Sequence, residues 1–542
     1  MQGLPSMIFG DGISKKTQVR FGGYNHNPGA ADGEIWDMGN LTSDYYPLLS
    51  PRQKRWQYKD PNGDLSGTDG LFFKNGRKFL AKDGRFARFS VDTASGRVMS
   101  VNPIGDVSEG EKQFVSLGAY IIILPDMTYY NTEDKKYGLL QAEWKGTVSV
   151  QNGTYKGENA EANTIYSEGV DWSAIFNAGD GVTLEGWSSE LAANNKTIII
   201  REIDGEYLRF YENSFTMPED GWEEGGISIT RKVPEMDFMC ENENRLWGCK
   251  GNTIYASKPG DPFNWNVFDG VATDSFAVDV GSAGDFTGCI SYMGYPCFFK
   301  EDHIYKAYGD RPANFQVMGS ASLGVAKGSG RSLAVAGETL FYLSRTGITA
   351  YTGGIPQSVA DAFGDVKYKN AVAGSDGIKY YVSMEDAAGD SHLFVYDTRK
   401  NLWHREDGTK ALSFAWDDGR LYIRSEDNIW SIGREVKNGQ GEGDINSFAE
   451  FGDFTENEPN RKGVSKLQLR VELSEGASFK VYIQFDSDGV WQTVKELKAD
   501  RKKSFYLPII PRRCDHYRIK VEGKGGWKLH SMVRETYSGS EL

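Results

Sequence analysis

The chain has 542 residues, a formal net charge of −14 and a pI near 5.2. That length asks for several domains rather than one core, and the acidic balance excludes a protein that grips nucleic acid through a broad basic face. Sixty-four glycines beside 28 tyrosines and 29 phenylalanines are the composition of strands joined by tight turns, so an all-β fold is expected.

In chain order, residues 1–55 read as an extended N-terminal arm. Rich in Gly, Asn, Asp and Pro, it offers Ile35, Trp36, Leu41, Tyr45, Tyr46, Leu48 and Leu49 as apolar anchors, too few to fold alone. The arm is expected to order on assembly or by packing against the rest of the chain. Residues 1–17 lack the apolar core of a secretion signal, and runs such as 120–124 are too short to span a bilayer. Folding in a cytoplasm, without membrane insertion by the chain itself, is therefore the expectation. Asp60, Asn62 and Asp64 match the first oxygen positions of a calcium loop, but the glycine and distal glutamate that should follow are missing. The stretch reads as an exposed turn.

A unit then recurs: an apolar strand, a charged or Gly/Asn turn, and a second strand ending in an aromatic residue. Copies begin at residues 76, 119, 244, 294, 338, 377 and 419, with turns centred near 82, 125, 250, 300, 345, 387 and 425. The starts are separated by about 43, 125, 50, 44, 39 and 42 residues. A period of about 40–45 residues fits a four-stranded propeller blade. Stacked blades cover one another's apolar faces, which a lone sheet cannot do. The expected architecture is a seven-bladed β-propeller, with an open β-sandwich array as the competing arrangement. Blades 1–2 are placed at 56–138 and blades 3–7 at 234–446. The long interval makes 139–233 an inserted small β-barrel or sandwich, with strands at 179–184, 196–201, 207–211 and 227–231 and a short helix at 172–176. Residues 447–542 read as a C-terminal β-sandwich, with strands at 464–473, 478–485, 504–507, 516–522 and 527–534, and Asp486, Ser487, Asp488 and Gly489 as a hairpin turn.

Reactive motifs are sparse. Five cysteines (Cys240, Cys249, Cys289, Cys297, Cys514) form no paired-ligand spacing and read as buried small residues. Six histidines (His26, His303, His392, His404, His516, His530) stand singly. No nucleophile-elbow, phosphate-loop or dinucleotide fingerprint occurs. No catalytic, cofactor-binding or metal-ligating residue is assigned, and no cofactor is expected.

Four groups of residues carry a resemblance. The first is Phe21-Gly22-Gly23-Tyr24-Asn25-His26-Asn27-Pro28, followed by Asp37-Met38-Gly39-Asn40-Leu41 and Tyr46-Pro47-Leu48-Leu49. The second is Asn244-Arg245-Leu246-Trp247-Gly248-Cys249, with Thr253-Ile254-Tyr255 and Gly260-Asp261-Pro262-Phe263-Asn264. Gly179-Asp180-Gly181 and Asn195-Lys196-Thr197 in the insert form the third. Gln484-Phe485-Asp486 and Cys514-Asp515-His516-Tyr517-Arg518 form the fourth. With these stretches the chain resembles the propeller-containing tail hub or nozzle proteins of tailed bacteriophages. The resemblance implies a structural, non-enzymatic virion component, assembled in the host cytoplasm. It implies a ring homo-oligomer, six copies being the expectation, that meets portal, adaptor and other tail proteins, with tail fibres or spikes as further candidate partners. DNA would pass through without specific binding. Six copies at −14 each give −84 for such a ring, a charge that repels phosphate within a Debye length of the bore, about 8 Å. The alternatives are a tail-tip propeller that binds glycan or receptor through exposed aromatics and, less favoured, a carbohydrate-active enzyme using paired carboxylates.

Overall fold

Each of the seven repeated hairpins forms the second and third strands of an antiparallel sheet, and in the first six sheets the strand order follows the chain. The structure is a computed structural model and describes residues 12–58, 65–92, 95–217, 222–417, 419–432, 440–510 and 512–538. The calcium-loop-like stretch 60–64 lies outside the described residues. The first sheet runs Thr68–Lys74, Arg77–Lys82, Arg85–Val91 and Val98–Asp106. Its central turn has positive φ at both Asp83 (51°) and Gly84 (72°), the twist that a two-residue hairpin needs.

The chain divides into two compact units, one made of residues 1–78, 89–101 and 328–542, the other of 79–88 and 102–327. In the first unit the leading strands of the fifth, sixth, seventh and first sheets (Ala334–Ala336, Lys369–Ser375, Ala411–Asp417, Thr68–Lys74) each lie against the next. In the second unit the leading strands Gln113–Leu117, Phe238–Asn242 and Gly288–Tyr292 do the same. Sheets packed by their leading strands, face against face, are propeller blades. Alternation explains the burial: Trp247, Cys249 and Ile254 of the third sheet share an apolar layer with Cys289, Phe298 and Tyr305 of the fourth.

One boundary is corrected. Trp56–Gln57, expected to open the first blade, is the fourth strand of the seventh sheet, between Ile429–Ile432 and Gln440–Gly441. The seventh repeat lacks an in-sequence fourth strand, and the chain's early segment supplies it.

The insert is a seven-stranded sheet spanning residues 142–231. Its long strand Ala142–Tyr155 pairs through its first half with Glu224–Arg231 and through its second with Glu158–Tyr166. Bulges at 146/148 and 151/153 bend the strand from one partner to the other. Trp172, Phe176, Leu208 and Ile229 are buried in its core. Only a three-residue 3-10 turn, Trp172–Ala174, stands where a short helix was expected.

The C-terminal sandwich is present, and the arm is part of it. Lys462–Leu473 is flanked by Trp527–Ser538 and Lys502–Pro508, and Ile13–Gln18 adds to the outside of Trp527–Ser538. In the second sheet, Ile35–Gly39 pairs with Asn446–Phe451, ahead of Tyr517–Lys524, Ser478–Phe485 and Gln492–Leu497. The arm's anchors are also better than its composition suggested. Phe21, Tyr24, Ile35, Met38, Leu41 and Leu49 are all buried in one apolar core that the sandwich shares with the fifth and sixth sheets, whereas Tyr45 and Tyr46 are exposed. Gly23 lies against the sixth sheet so closely that a Cβ would meet the Trp403 carbonyl oxygen at 2.4 Å. That contact gives a physical reason for the second glycine of the opening motif.

Candidate functional site

The histidines are dispersed through the structure, as they are in the sequence. His26 stacks on Trp36 at 4.0 Å, and His392 meets Asp386 at 2.8 Å. His404 is buried in the sixth sheet, where desolvation pushes its pKa down to about 3, so the ring is neutral. All five cysteines are free and buried. Cys240, Cys249 and Cys289 share one apolar layer. The Cys240 thiol is pushed well up by its hydrogen bond with Cys289 and by burial, and burial pushes Cys289 up likewise. Cys297 is raised to about 12 and Cys514 to about 11, burial being the main cause in each. Such thiols stay protonated and are poor nucleophiles and metal ligands. Among the described residues no group of three or more His, Cys, Asp or Glu side chains could hold a metal ion.

One constellation that sequence reading missed has the order of a catalytic triad. Ser487 Oγ lies 2.8 Å from His516 Nε2, and His516 Nδ1 lies 3.1 Å from Asp515 Oδ2. The hairpin turn after Ser478–Phe485, with φ of 49° at Ser487, brings the serine to a histidine 29 residues away. The chemistry stops there. Asp515 has a 72% exposed side chain, whereas a triad carboxylate orients its histidine from a buried site. Asp453 stands 3.9 Å from the Nε2 that would have to serve the serine, and Asp488 is held at the same turn by Arg512 at 3.2 Å. Carboxylates crowd the place where an oxyanion would need donors.

The strongest electrostatics serve fastening. Arg52 and Arg55, both buried, meet Glu442 at 2.6 Å and Glu406 at 2.6 Å, and each also reaches Asp407. Burial pushes the Glu442 carboxyl up, but hydrogen bonding and charge from Arg52 outweigh it, leaving it below the usual range. In the sandwich, buried Arg534 binds Glu456 at 2.8 Å, Gln18 at 2.9 Å and Asp32 at 2.7 Å, with its guanidinium 4.0 Å from the Phe454 ring. Burial raises the Glu456 carboxyl, and its bonds from Arg534 and Tyr517 bring it below the usual range. These clusters join the arm to segments more than 350 positions away in sequence.

A cleft of about 670 Å³ opens at one end of the sandwich, where the turns at 475–477 and 525–526 meet residues 51–56. Lys54, Trp56, Asp444 and Glu475 are in its walls, and Lys54 and Asp444 pair at 3.2 Å.

No protein-family model matches the chain, and no curated protein matches it. Among solved structures it is similar to the WD40 repeats of RRP9, at 8% identity over 71% of this chain and 99% of that one, with a TM-score of 0.34. It is also similar to BamB from Moraxella catarrhalis, at 11% identity over 73% of this chain and 96% of that one, TM-score 0.33. An exo-β-1,3-galactanase from Phanerochaete chrysosporium is similar at 8% identity over 55% and 94%, TM-score 0.22. The all-β fold of propeller blades rests on the sheet topology.

Proposed function

We propose that the chain is a non-enzymatic structural component of a tailed-phage virion, a ring-forming tail hub or nozzle. It would join portal or adaptor proteins and other tail proteins, and guide or retain DNA at the exit channel. Seven blades closing one propeller, with the insert and the sandwich as assembly surfaces, belong to the same reading. The observation that carries it is the fastening: both ends of the described chain are paired into one sandwich, around an arginine that is itself buried. A part held under load gains from such closure, and a soluble binder has less use for it. The Ser487, His516 and Asp515 grouping is solvated and faces carboxylates, which supports a role without catalysis.

Imaging of the purified full-length chain and of the particle that carries it tests the reading. A ring with an axial channel whose lining is acidic or neutral is expected, since phosphates held by Lys and Arg would impede passage. Continuous rings of Lys or Arg along the bore, or assemblies without a channel, would overturn it. The cleft beside Trp56 favours one second reading, glycan binding at a tail tip. Saturable binding on a glycan array, lost in Trp56→Ala, would favour that reading over the nozzle.

A further inference from the structure

Two parts of the chain carry opposite charge. Residues 142–231, the inserted sheet, contain 6 Lys and Arg against 16 Asp and Glu, a net of −10. Residues 461–538, most of the sandwich, contain 17 against 9, a net of +8. The chain's overall −14 conceals this contrast.

Part of each excess lies at a terminal strand. The insert's sheet ends on Glu202–Asp204. Glu202 and Asp204 share one cation, Arg209, at 3.1 and 2.6 Å. Glu206 follows in the next turn and accepts the backbone N–H of Gly169 at 2.6 Å, which brings exposed Glu168 beside it. Tyr166 and Tyr207 lie within this acidic rim, their rings 5.0 Å apart. In the sandwich Lys502–Pro508 ends one sheet and Gln492–Leu497 ends the other, on the sides away from the arm's strands, and the two adjoin. Lys495, Arg501, Lys502 and Lys503 are exposed there, and among the described residues none has a carboxylate partner within 4 Å. Tyr506 (60% exposed) and Ile510 (89%) stand beside them.

Charge on an edge strand by itself serves to keep edges apart. Edges of one sign would repel in every pairing of two copies, but edges of opposite sign attract. We propose that the lysine-rich edge of the sandwich in one copy docks on the acidic edge of the insert in a second copy. The contact is heterologous, and a second copy is the complementary anion that is always present at equal concentration. Tyr506 and Ile510 supply the apolar centre on one side, Tyr166 and Tyr207 on the other, with the charges as rim. The inference rests on the ring-forming reading and names its surfaces.

The test uses the full-length chain and sedimentation velocity across a concentration series. Raising salt from about 50 to about 500 mM is expected to weaken association at least about tenfold. Reversing the sandwich edge (Lys495→Glu, Arg501→Glu, Lys502→Glu, Lys503→Glu) should weaken it at least as much. Reversing the insert edge (Glu168→Lys, Asp204→Lys, Glu206→Lys) should do the same. Mixing the two variants should restore assembly, because each then offers the other's missing sign. Unchanged melting temperatures show that the variants fold, and a neutral Lys502→Gln, Lys503→Gln variant should show a smaller loss. Reversed variants that assemble like the original chain would overturn the edge pairing and leave the ring reading standing. Failure of the mixture to restore assembly, or loss of binding to a DNA oligonucleotide with assembly unchanged, would also overturn the pairing. An original chain that stays monomeric in low salt would overturn both.

Discussion

The repeated sheets and the C-terminal sandwich use the same strand chemistry, but they differ in where a strand finds its neighbour. In the third sheet Phe238 pairs with Cys249 and Lys250 with Thr253, all within one short stretch. In the sandwich Ile13 pairs with Tyr537, at the other end of the chain. The staples differ in the same way. Arg245, buried in the third sheet, donates to the carbonyls of Ser257, Ala272 and Asp274, whereas Arg534 gathers Gln18, Asp32 and Glu456. A local sheet can form as soon as its segment is present, while the sandwich needs both ends of the chain, so the two should come apart separately.

The largest effect is expected from removing residues 1–30. The deletion takes away an edge strand together with the buried Phe21 and Tyr24, so it should do more than weaken ring formation. Hydrogen exchange should show protection lost across 446–538 while strands such as Tyr120–Leu124 and Arg245–Lys250 keep theirs. Equal loss everywhere would break the comparison, and no loss would show the arm to be dispensable.

Next come the two arginines. Arg534→Ala leaves the buried Glu456 carboxylate with only the more exposed Lys16, 3.1 Å away, as its cation, and should cost toward the lower end of about 3–5 kcal/mol, read from denaturant unfolding of the sandwich. Arg245→Ala removes bonds to neutral carbonyls only and should cost about 1–3 kcal/mol, confined to residues 102–327. A reversed order would mean that local fastening outweighs the long-range kind.

A third effect, spread over a pH range rather than read at one condition, concerns a repeat sheet. His404 has a folded pKa of about 3 against an ordinary 6.5, so the unfolded chain binds more protons between those values. Its contribution to stability is full above about pH 6.5 and is lost as pH falls toward about 3, by up to about 1.4 kcal/mol per pH unit. The arginine-paired carboxylates Glu442 and Glu456, both held below the usual range, add acid sensitivity of their own. The informative measurement is therefore the difference between the original chain and His404→Leu in denaturant midpoint from pH 7 to pH 4. Parallel curves would show that His404 is not held neutral.

Legibility followed the same divide. All seven hairpins could be read because alternation and a turn residue sit within about a dozen positions, as in Gly76 to Phe89. Within the sandwich the five strands 464–473, 478–485, 504–507, 516–522 and 527–534 were legible for the same reason. Asn446–Phe451 and Gln492–Leu497 were not: the first is short and follows a Gly-rich stretch, and the second is a polar, exposed edge. The arm's strands escaped because Ile13–Gln18 is Ile-Ser-Lys-Lys-Thr-Gln, whose only strand-like feature is a partner that no local pattern announces. Trp56–Gln57 was assigned to the wrong sheet for the same reason. The Ser487, His516 and Asp515 grouping also depends on a pairing, Phe485 with Tyr517, that brings two turns together.

The strand Trp56–Gln57 has a consequence for how the protein is made. Its partners Ile429–Ile432 lie some 370 residues downstream, and those of Ile13–Gln18 lie farther still. At about 5–20 residues per second, a ribosome takes roughly 20–75 s to deliver residue 432 after residue 57 has been made. For that interval the early segment is an unpaired strand on a nascent chain, while complete sheets fold behind it. Its own sequence helps it wait: Arg52, Lys54 and Arg55 flank it as gatekeeping charges, and each later finds a carboxylate of the finished fold. The same arginines that staple the mature protein therefore also keep its first strand soluble until its last partners emerge.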